Sequence, residues 1–529
     1  MNQIDWHLPY SARRQPILAR NVVATSQPLA TQAGVSMLQA GGNAVDAALA
    51  TAIALTIVEP CSNGLGSDLF ALVWDGHGLV GLNASGRAPA AWNAQRYAGL
   101  ETMPRAGWDT VTIPGAVSGW MALAERFGKL PFADLFAPAI RCANDGFAVS
   151  PVTADKWAKA VPVLGHVPGF AEHFLPRGRA PHPGEVFASA AMAQSMTTIA
   201  ATRGEAFYRG ELAEKMVAHS RSLGGAHTLS DFANHSCDWV TPLELDYRGY
   251  TVHEIPPNGQ GIAALMALGI LEQFELNAQP VDSPQIQHVE IEAMKLAFAD
   301  AYRYVSDPRT MEVTPAQLLD RGYLAQRARL IDPKRALDFR YGTPPPAGTV
   351  YLTAADGEGM MVSLIQSNYM GFGSGIVVPK TGISLQNRGS GFSLQPGHPN
   401  LVGGGKRPFH TIIPGFVTRA GVPYCSFGVM GGAIQPQGHV QTLVRLIDYG
   451  QNPQAVLDAP RWKVNGGLSL DIETSASPEL IVGLGALGHQ FASISDAYME
   501  FGAGQFILRT ENGYVAGSDP RRDGQAAGF

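Results

Sequence analysis

The chain predicts an α+β fold in which a helix-rich N-terminal part and a strand-rich C-terminal part share one mixed core. Three observations point there. Apolar residues recur at helical spacing in many segments before residue 348. Short apolar runs bounded by Asp-Gly and Gly-rich turns follow residue 349. Apolar residues make up 46% of the 529 residues and charged residues only 16%, which suits a compact enzyme with a large core and argues against extended disorder.

Taken in order, Leu29 to Gln39 has apolar residues at helical spacing and stops at Gly41-Gly42. Asn43 then caps an apolar helix from Ala44 to Val58, which Glu59-Pro60 ends because proline cannot continue it. Gly64-Leu65-Gly66-Ser67-Asp68 is a tight turn into a strand from Leu69 to Trp74, and Asp75-Gly76 marks a hairpin into Leu79 to Leu82. Helices are predicted over 115–126, 132–145, 188–201, 211–223, 261–274 and 285–305. From 321 to 346 the chain becomes charged and then proline-rich, which predicts an exposed segment. Beyond Thr349, 350–354 and 360–367 read as two strands across the turn Asp356-Gly357-Glu358-Gly359. Further strands are predicted at 409–417, 424–429 and 506–509, and a helix over 435–449 directly after Met430-Gly431-Gly432-Ala433.

Composition narrows the function classes. A formal charge of −6 gives no electrostatic footprint for nucleic acid or anionic membranes. Cys61, Cys142, Cys237 and Cys425 are scattered and read as reduced core thiols. No His/Cys/Asp group has ligand spacing, so neither a metal nor a cofactor is implied. The N-terminus lacks a basic stretch followed by an apolar one, and the longest apolar run, Ala47 to Val58, is too short to span a bilayer. These readings predict a soluble, cytoplasmic protein.

The point richest in chemistry is Gly348-Thr349, where a proline-rich loop (Pro345-Pro346-Ala347) turns into an apolar run. A chain cut before Thr349 would expose a threonine that carries its own base. An α-amine has an unperturbed pKa of about 7.7–8.0, close enough to working pH to take the proton from the neighbouring Oγ. Glycine before the cut tolerates the backbone angles that Oγ attack on its carbonyl demands. Gly-Thr alone is a weak signal that favours an ordinary strand threonine, because such pairs are common at strand starts.

The surrounding motifs resolve that ambiguity. After Thr349 come Gly371-Phe372-Gly373-Ser374-Gly375, Gly405-Lys406-Arg407-Pro408, Met430-Gly431-Gly432 and the stretch from Asp448-Tyr449-Gly450 to Ala459-Pro460-Arg461. Before it come Ala40-Gly41-Gly42-Asn43-Ala44-Val45-Asp46, Gly64-Leu65-Gly66, Arg87-Ala88-Pro89 and Val111-Thr112-Ile113-Pro114-Gly115. In this order and spacing the series resembles the γ-glutamyltransferase family of N-terminal-nucleophile hydrolases over nearly the whole chain. The resemblance implies a four-layer αββα sandwich and self-cleavage between Gly348 and Thr349. It further implies a large subunit of 1–348 and a small one of 349–529 that stay together as a heterodimer, with a dimer of heterodimers as a further possibility. It makes Thr349 the nucleophile, Gly431 and Gly432 the oxyanion donors, and Ser367 a hydroxyl supporting the nucleophile. It also puts Tyr369, Ser390, His410 and Thr411 at the substrate pocket, where His410 reads equally as a group binding an anion or carbonyl and as a hydrogen-bonded structural histidine.

The match breaks at the substrate anchors. Where family members hold a γ-glutamyl carboxylate with an arginine, the stretch Asn83-Ala84-Ser85-Gly86-Arg87-Ala88-Pro89 has Ser85. Where they hold its ammonium with acids, Asn387-Arg388-Gly389-Ser390-Gly391-Phe392 has Ser390 and Gly391. A γ-glutamyl group would leave two charges unpartnered, each costing several kcal/mol. Arg388, with Arg87 as a second candidate, instead suits a substrate with a carboxylate and no ammonium. These departures resemble the amidohydrolase branch of the family. They imply oxamate cleavage to oxalate and ammonia, a reaction of purine and allantoin catabolism. A γ-glutamyl hydrolase or transpeptidase and a cephalosporin-acylase-like enzyme are the alternatives.

Overall fold

Two helices that are apolar on every side must be buried on every side, and each lies behind one of two large sheets. Ala44–Val58 is buried along its whole length, and so is Gly261–Leu271. The computed structural model describes residues 14–339, 348–495 and 500–529.

One seven-stranded sheet runs in the order Gln525–Gly528, Val22–Thr25, Gly348–Ala355, Met361–Tyr369, Asp68–Trp74, Leu79–Ala84, Asp238–Val240. The other runs Ile17–Ala19, Gly513–Ser518, Ala503–Thr510, Val422–Met430, Gly415–Arg419, Tyr250–Glu254, Leu243–Tyr247. Neighbours in both sheets are antiparallel.

The period of two along each strand sorts the side chains into layers. Leu69, Ala71 and Val73 pack with the Ala44–Val58 helix, whereas Phe70 and Leu72 face Ile412, Phe416 and Met430 of the opposite sheet region. In return Val417, Phe427 and Phe506 pack with Leu265 and Leu443 on the far side. Each fully buried Leu, Ile or Phe contributes about 1.5–3 kcal/mol. Hydroxyls fix the register between the sheets: Thr353 Oγ1 lies 2.6 Å from Ser426 Oγ, and Ser363 Oγ donates to the Phe427 carbonyl at 3.3 Å.

Asn43 Oδ1 accepts the amides of Val45 and Asp46, and the Asp46 carboxylate accepts the Asn43 amide in return at 2.9 Å, a reciprocal cap. The Ala44 amide donates to Asp356 at 2.9 Å, tying the helix to the turn that joins the Thr349 and Ser367 strands. Among the described residues no helix is long and apolar enough to cross a membrane.

Several expectations change. The predicted helix over 132–145 divides into a 3-10 helix, Phe132–Phe136, and an α-helix, Ala137–Asp145. Of the predicted 409–417 strand only the last three residues are in a strand, which runs Gly415–Arg419. The stretch before it is irregular because Pro408 and Pro414 lack amide protons, and His410 pairs with Asn258 and Gln260 instead. In the segment predicted as exposed, Arg321–Ala328 is a helix, and Leu324, Ala328, Ile331 and Ala336 are buried; Pro345 and Pro346 lie outside the described residues. The N-terminal part is also richer in strands than expected, supplying three strands to one large sheet and four to the other.

Candidate active site

The starts of the Gly348–Ala355 and Asp68–Trp74 strands and the end of the Met361–Tyr369 strand between them bring Thr349, Ser367 and Asp68 into a row. Ser367 and Asp68 are cross-strand partners, so their side chains share a face. The ladder between the first two strands slips between Gly348 and Val350, placing Thr349 at a bulge opposite Ser367. Thr349 is buried, with its Oγ1 3.1 Å from Ser367 Oγ. The row faces the space between the sheets, as Tyr351, Ile365 and Phe70 do further along the same strands.

A continuous chain of contacts runs outward from this row. Ser367 Oγ accepts the Tyr369 amide at 2.8 Å. Tyr369 holds a left-handed backbone with φ of 78°, a conformation costing a non-glycine residue about 1 kcal/mol or more. That bend lays its ring against Arg388, whose guanidinium carbon lies 4.5 Å from the ring centroid. Arg388 Nη1 donates to Thr411 Oγ1 at 2.8 Å. The Thr411 carbonyl accepts Gln260 Nε2 at 2.6 Å, and the same Nε2 reaches the Gly432 carbonyl at 2.9 Å. Gly431 and Gly432 have φ of 130° and 75°, where a side chain is strained, and they open the Ile434–Ile447 helix. A Cβ on Gly431 would come within 2.7 Å of Ile434 Cγ2.

Arg388 is the electrostatic anomaly of the site. It is 1% exposed, yet its Nε and Nη2 have no hydrogen-bond partner among the described residues. Burial pushes its pKa down to about 10, with Asp68 opposing the shift. Burial raises Asp68 to about 6, opposed by Arg388 and by the Gly86 and Gly115 amides, which donate to Oδ1 at 3.1 Å each. His410 is held well below the ordinary imidazole range, first by burial and then by Arg388 and Arg407. Its partners assign the tautomer: Nε2–H donates to Asp68 Oδ2 at 3.1 Å, and Nδ1 faces the Ile412 amide at 3.4 Å. Both ring nitrogens are thus engaged within the protein.

The other expected residues lie off this chain of contacts. Arg87, its side chain 33% exposed, pairs with Asp238 at 3.4 Å and with the buried Asp307 at 3.7 Å, in a cluster that also holds the buried Arg407 and the exposed Arg309. Ser390 Oγ donates to the Pro104 carbonyl at 2.6 Å. Ser85 Oγ donates to Asn83 Oδ1 at 2.7 Å. At Gly391 a Cβ would sit 2.6 Å from the Phe409 carbonyl oxygen, so an acidic side chain does not fit there without backbone movement.

Asp68 and Gln260 are site residues that sequence reasoning missed. Each had a signal, a polar residue entering a wholly apolar element: Asp68 starts the Asp68–Trp74 strand, and Gln260 precedes the Gly261–Leu271 helix. His288, Glu292 and His489 form a buried group whose ligand atoms lie within 4.8 Å of one another. His288 Nδ1 is hydrogen-bonded to His489 Nε2 at 2.8 Å, and Glu292 is paired with Lys295 at 2.7 Å, so these atoms already have partners.

The family model for gamma-glutamyltranspeptidase matches residues 30–529. A glutathione hydrolase-like YwrD proenzyme of Bacillus subtilis is 36% identical over 520 residues, 96% of this chain and 98% of the relative. An oxamate amidohydrolase proenzyme of Klebsiella pneumoniae is 36% identical over 515 residues, 95% of this chain and 97% of the relative. The crystal structure of a cephalosporin acylase from Bacillus halodurans superposes with a TM-score of 0.95 at 47% identity, covering 100% of this chain and 99% of that one.

Proposed function

The chain belongs to the gamma-glutamyltranspeptidase family, and from that premise we propose that it is a self-processing amidohydrolase with Thr349 as its nucleophile. The two facing sheets, each backed by helices, are read as a four-layer αββα sandwich of the N-terminal-nucleophile hydrolase type. Cleavage between Gly348 and Thr349 divides the chain into 1–348 and 349–529. Both sheets draw strands from both pieces, which supports their staying together as a heterodimer. Free cysteines, two of them buried, fit a reducing cytoplasm.

In this reading the new α-amine of Thr349 takes the proton from its own Oγ, which attacks the substrate amide carbonyl. The Gly431 and Gly432 amides, at the head of a helix, stabilise the oxyanion. The amine passes its proton to the leaving nitrogen, and water then hydrolyses the acyl-enzyme by the same route in reverse. Ser367 fixes the Oγ position through the 3.1 Å contact.

The observation that carries the substrate assignment is the buried Arg388 with Nε and Nη2 unpartnered. That edge of a guanidinium takes a carboxylate in a two-pronged pair. With Gly391 unable to carry an acid, the pocket favours a carboxylate without an ammonium, and oxamate is the substrate proposed. A second reading, an acylase removing a glutaryl-type group, is favoured by the likeness to the cephalosporin acylase structure.

Denaturing electrophoresis and an amide panel test both levels. Two fragments are expected from the wild type and one intact chain, without activity, from Thr349→Ala. Fully active enzyme that remains uncut would refute the nucleophile assignment. Among oxamate, a glutaryl amide and a γ-glutamyl anilide, oxamate is expected to give the highest kcat/KM. A preference for the glutaryl amide selects the second reading, and a preference for the γ-glutamyl compound removes the pocket assignment.

A further inference from the structure

Asp68 is a fully buried carboxylate that the proposed reaction leaves without a task. Every element packed around it presents a donor or a positive charge. The Gly86 amide comes from the turn after the Leu79–Ala84 strand, and the Gly115 amide from the N-terminus of the Ala116–Phe127 helix. His410 donates its Nε2 proton, Arg388 and Arg407 act through space, and the Tyr208 hydroxyl nearby is committed to the Pro114 carbonyl and Ser118 amide. On its own sheet its partner is Ser367, the residue against Thr349. Asp68 is also the acid acting on Arg388, although the two form no direct ion pair. Arg388 and Asp68 are thus a buried positive and a buried negative charge set against each other beside Ser367 and Thr349.

A carboxylate binding Arg388 upsets that balance, because two carboxylates would then share one guanidinium in a dry site. We propose that Asp68 is the specificity-determining counter-charge of this pocket, neutralising Arg388 when the site is empty and taking up a proton when a substrate carboxylate binds. The inference rests on the carboxylate reading of Arg388. It implies that the pocket accepts a monoanion together with a proton and disfavours a dianion, so a product with a second carboxylate is expelled. Burial has already brought Asp68 to about 6, so the uptake falls in the ordinary pH range.

The sign follows from linkage. Below the free-enzyme value Asp68 is protonated before and after binding, and affinity is high and flat. Above it, binding must bring a proton, and affinity falls about tenfold per pH unit until Asp68 stays ionised in the complex as well.

Calorimetric titration of the processed enzyme with propionate, a monocarboxylate with no amide to cleave, tests this in two buffers of different ionisation heat. The expected result at neutral pH is uptake of close to one proton per propionate by the wild type. Asp68→Asn is expected to take up none and to bind propionate about tenfold tighter. Propionate that does not bind, or that binds the wild type without proton uptake, overturns the inference. So does unchanged uptake in Asp68→Asn. Oxamate hydrolysis is assayed in parallel: proton-linked propionate binding without oxamate turnover removes only the acyl assignment, and oxamate turnover without proton uptake removes only the role of Asp68.

Discussion

Arg87 and Arg388 are the same residue type, and both are candidates for a substrate carboxylate, yet their surroundings are opposite. Arg87 is partly exposed and shared between Asp238 and Asp307. Arg388 is buried against Tyr369, bonded to a single hydroxyl, with two donor nitrogens vacant. A protein tolerates a vacant buried guanidinium only at a cost, because each desolvated, unpaired donor forfeits its bond to water. Burial with two donor nitrogens unpartnered, more than charge, is what makes Arg388 and not Arg87 the proposed carboxylate ligand.

The sharpest way to break this comparison is to remove each arginine in turn. Arg388→Gln is expected to cost about 2–4 kcal/mol of transition-state binding, a loss of roughly 30- to 1000-fold in kcat/KM for a carboxylate-bearing amide. Arg87→Gln, in a partly solvated cluster, should change it by less than about threefold. Equal losses in steady-state kinetics would erase the distinction.

Gly391→Asp, which restores the acid of γ-glutamyl enzymes, comes next. Its Cβ must displace the Phe409 carbonyl, so a stability loss of about 1–3 kcal/mol in denaturant unfolding is expected, with no gain in γ-glutamyl turnover. Tyr369→Leu removes the ring face beneath Arg388 and should weaken substrate binding by about 0.5–2 kcal/mol, raising KM more than it lowers kcat, whereas Tyr369→Phe keeps the face and the KM. The smallest effect is a control in a fully satisfied region. Asn43→Ala should lower stability by about 1 kcal/mol through loss of the helix cap and leave the kinetics unchanged.

Much of the fold was legible because its signals are local. The cap at Asn43, the stop at Gly41-Gly42 and the hairpin at Asp75-Gly76 each act within a few residues, and the helices and strands they bound lie close to where the pattern predicts. The failures share a cause as well. Residues 409–414 look like a strand by composition, but two prolines and pairing with Asn258 and Gln260 decide otherwise. Residues 321–339 look exposed by charge, and most are exposed or half-buried, but Leu324, Ala328 and Ile331 anchor the segment among helices distant in sequence. At the candidate site, Thr349, Ser367, Tyr369, Arg388, Thr411 and the Gly431-Gly432 pair are proposed from motifs, and the structure brings them into one chain of contacts. Asp68 and Gln260 were not, because a polar residue at the start of an apolar element carries no label until its partners are known.

The sequence by itself determined the elements, the order of the motifs and the residue types available for chemistry, since propensity, capping and periodicity act over one or two turns. Which of those residues meet was settled by packing across the whole chain. Burial and partner geometry arise from contacts across hundreds of positions, as when Asp68 meets His410 or Gln260 bridges Thr411 and Gly432. Those long-range contacts leave one arginine paired at the surface and the other buried with donors to spare.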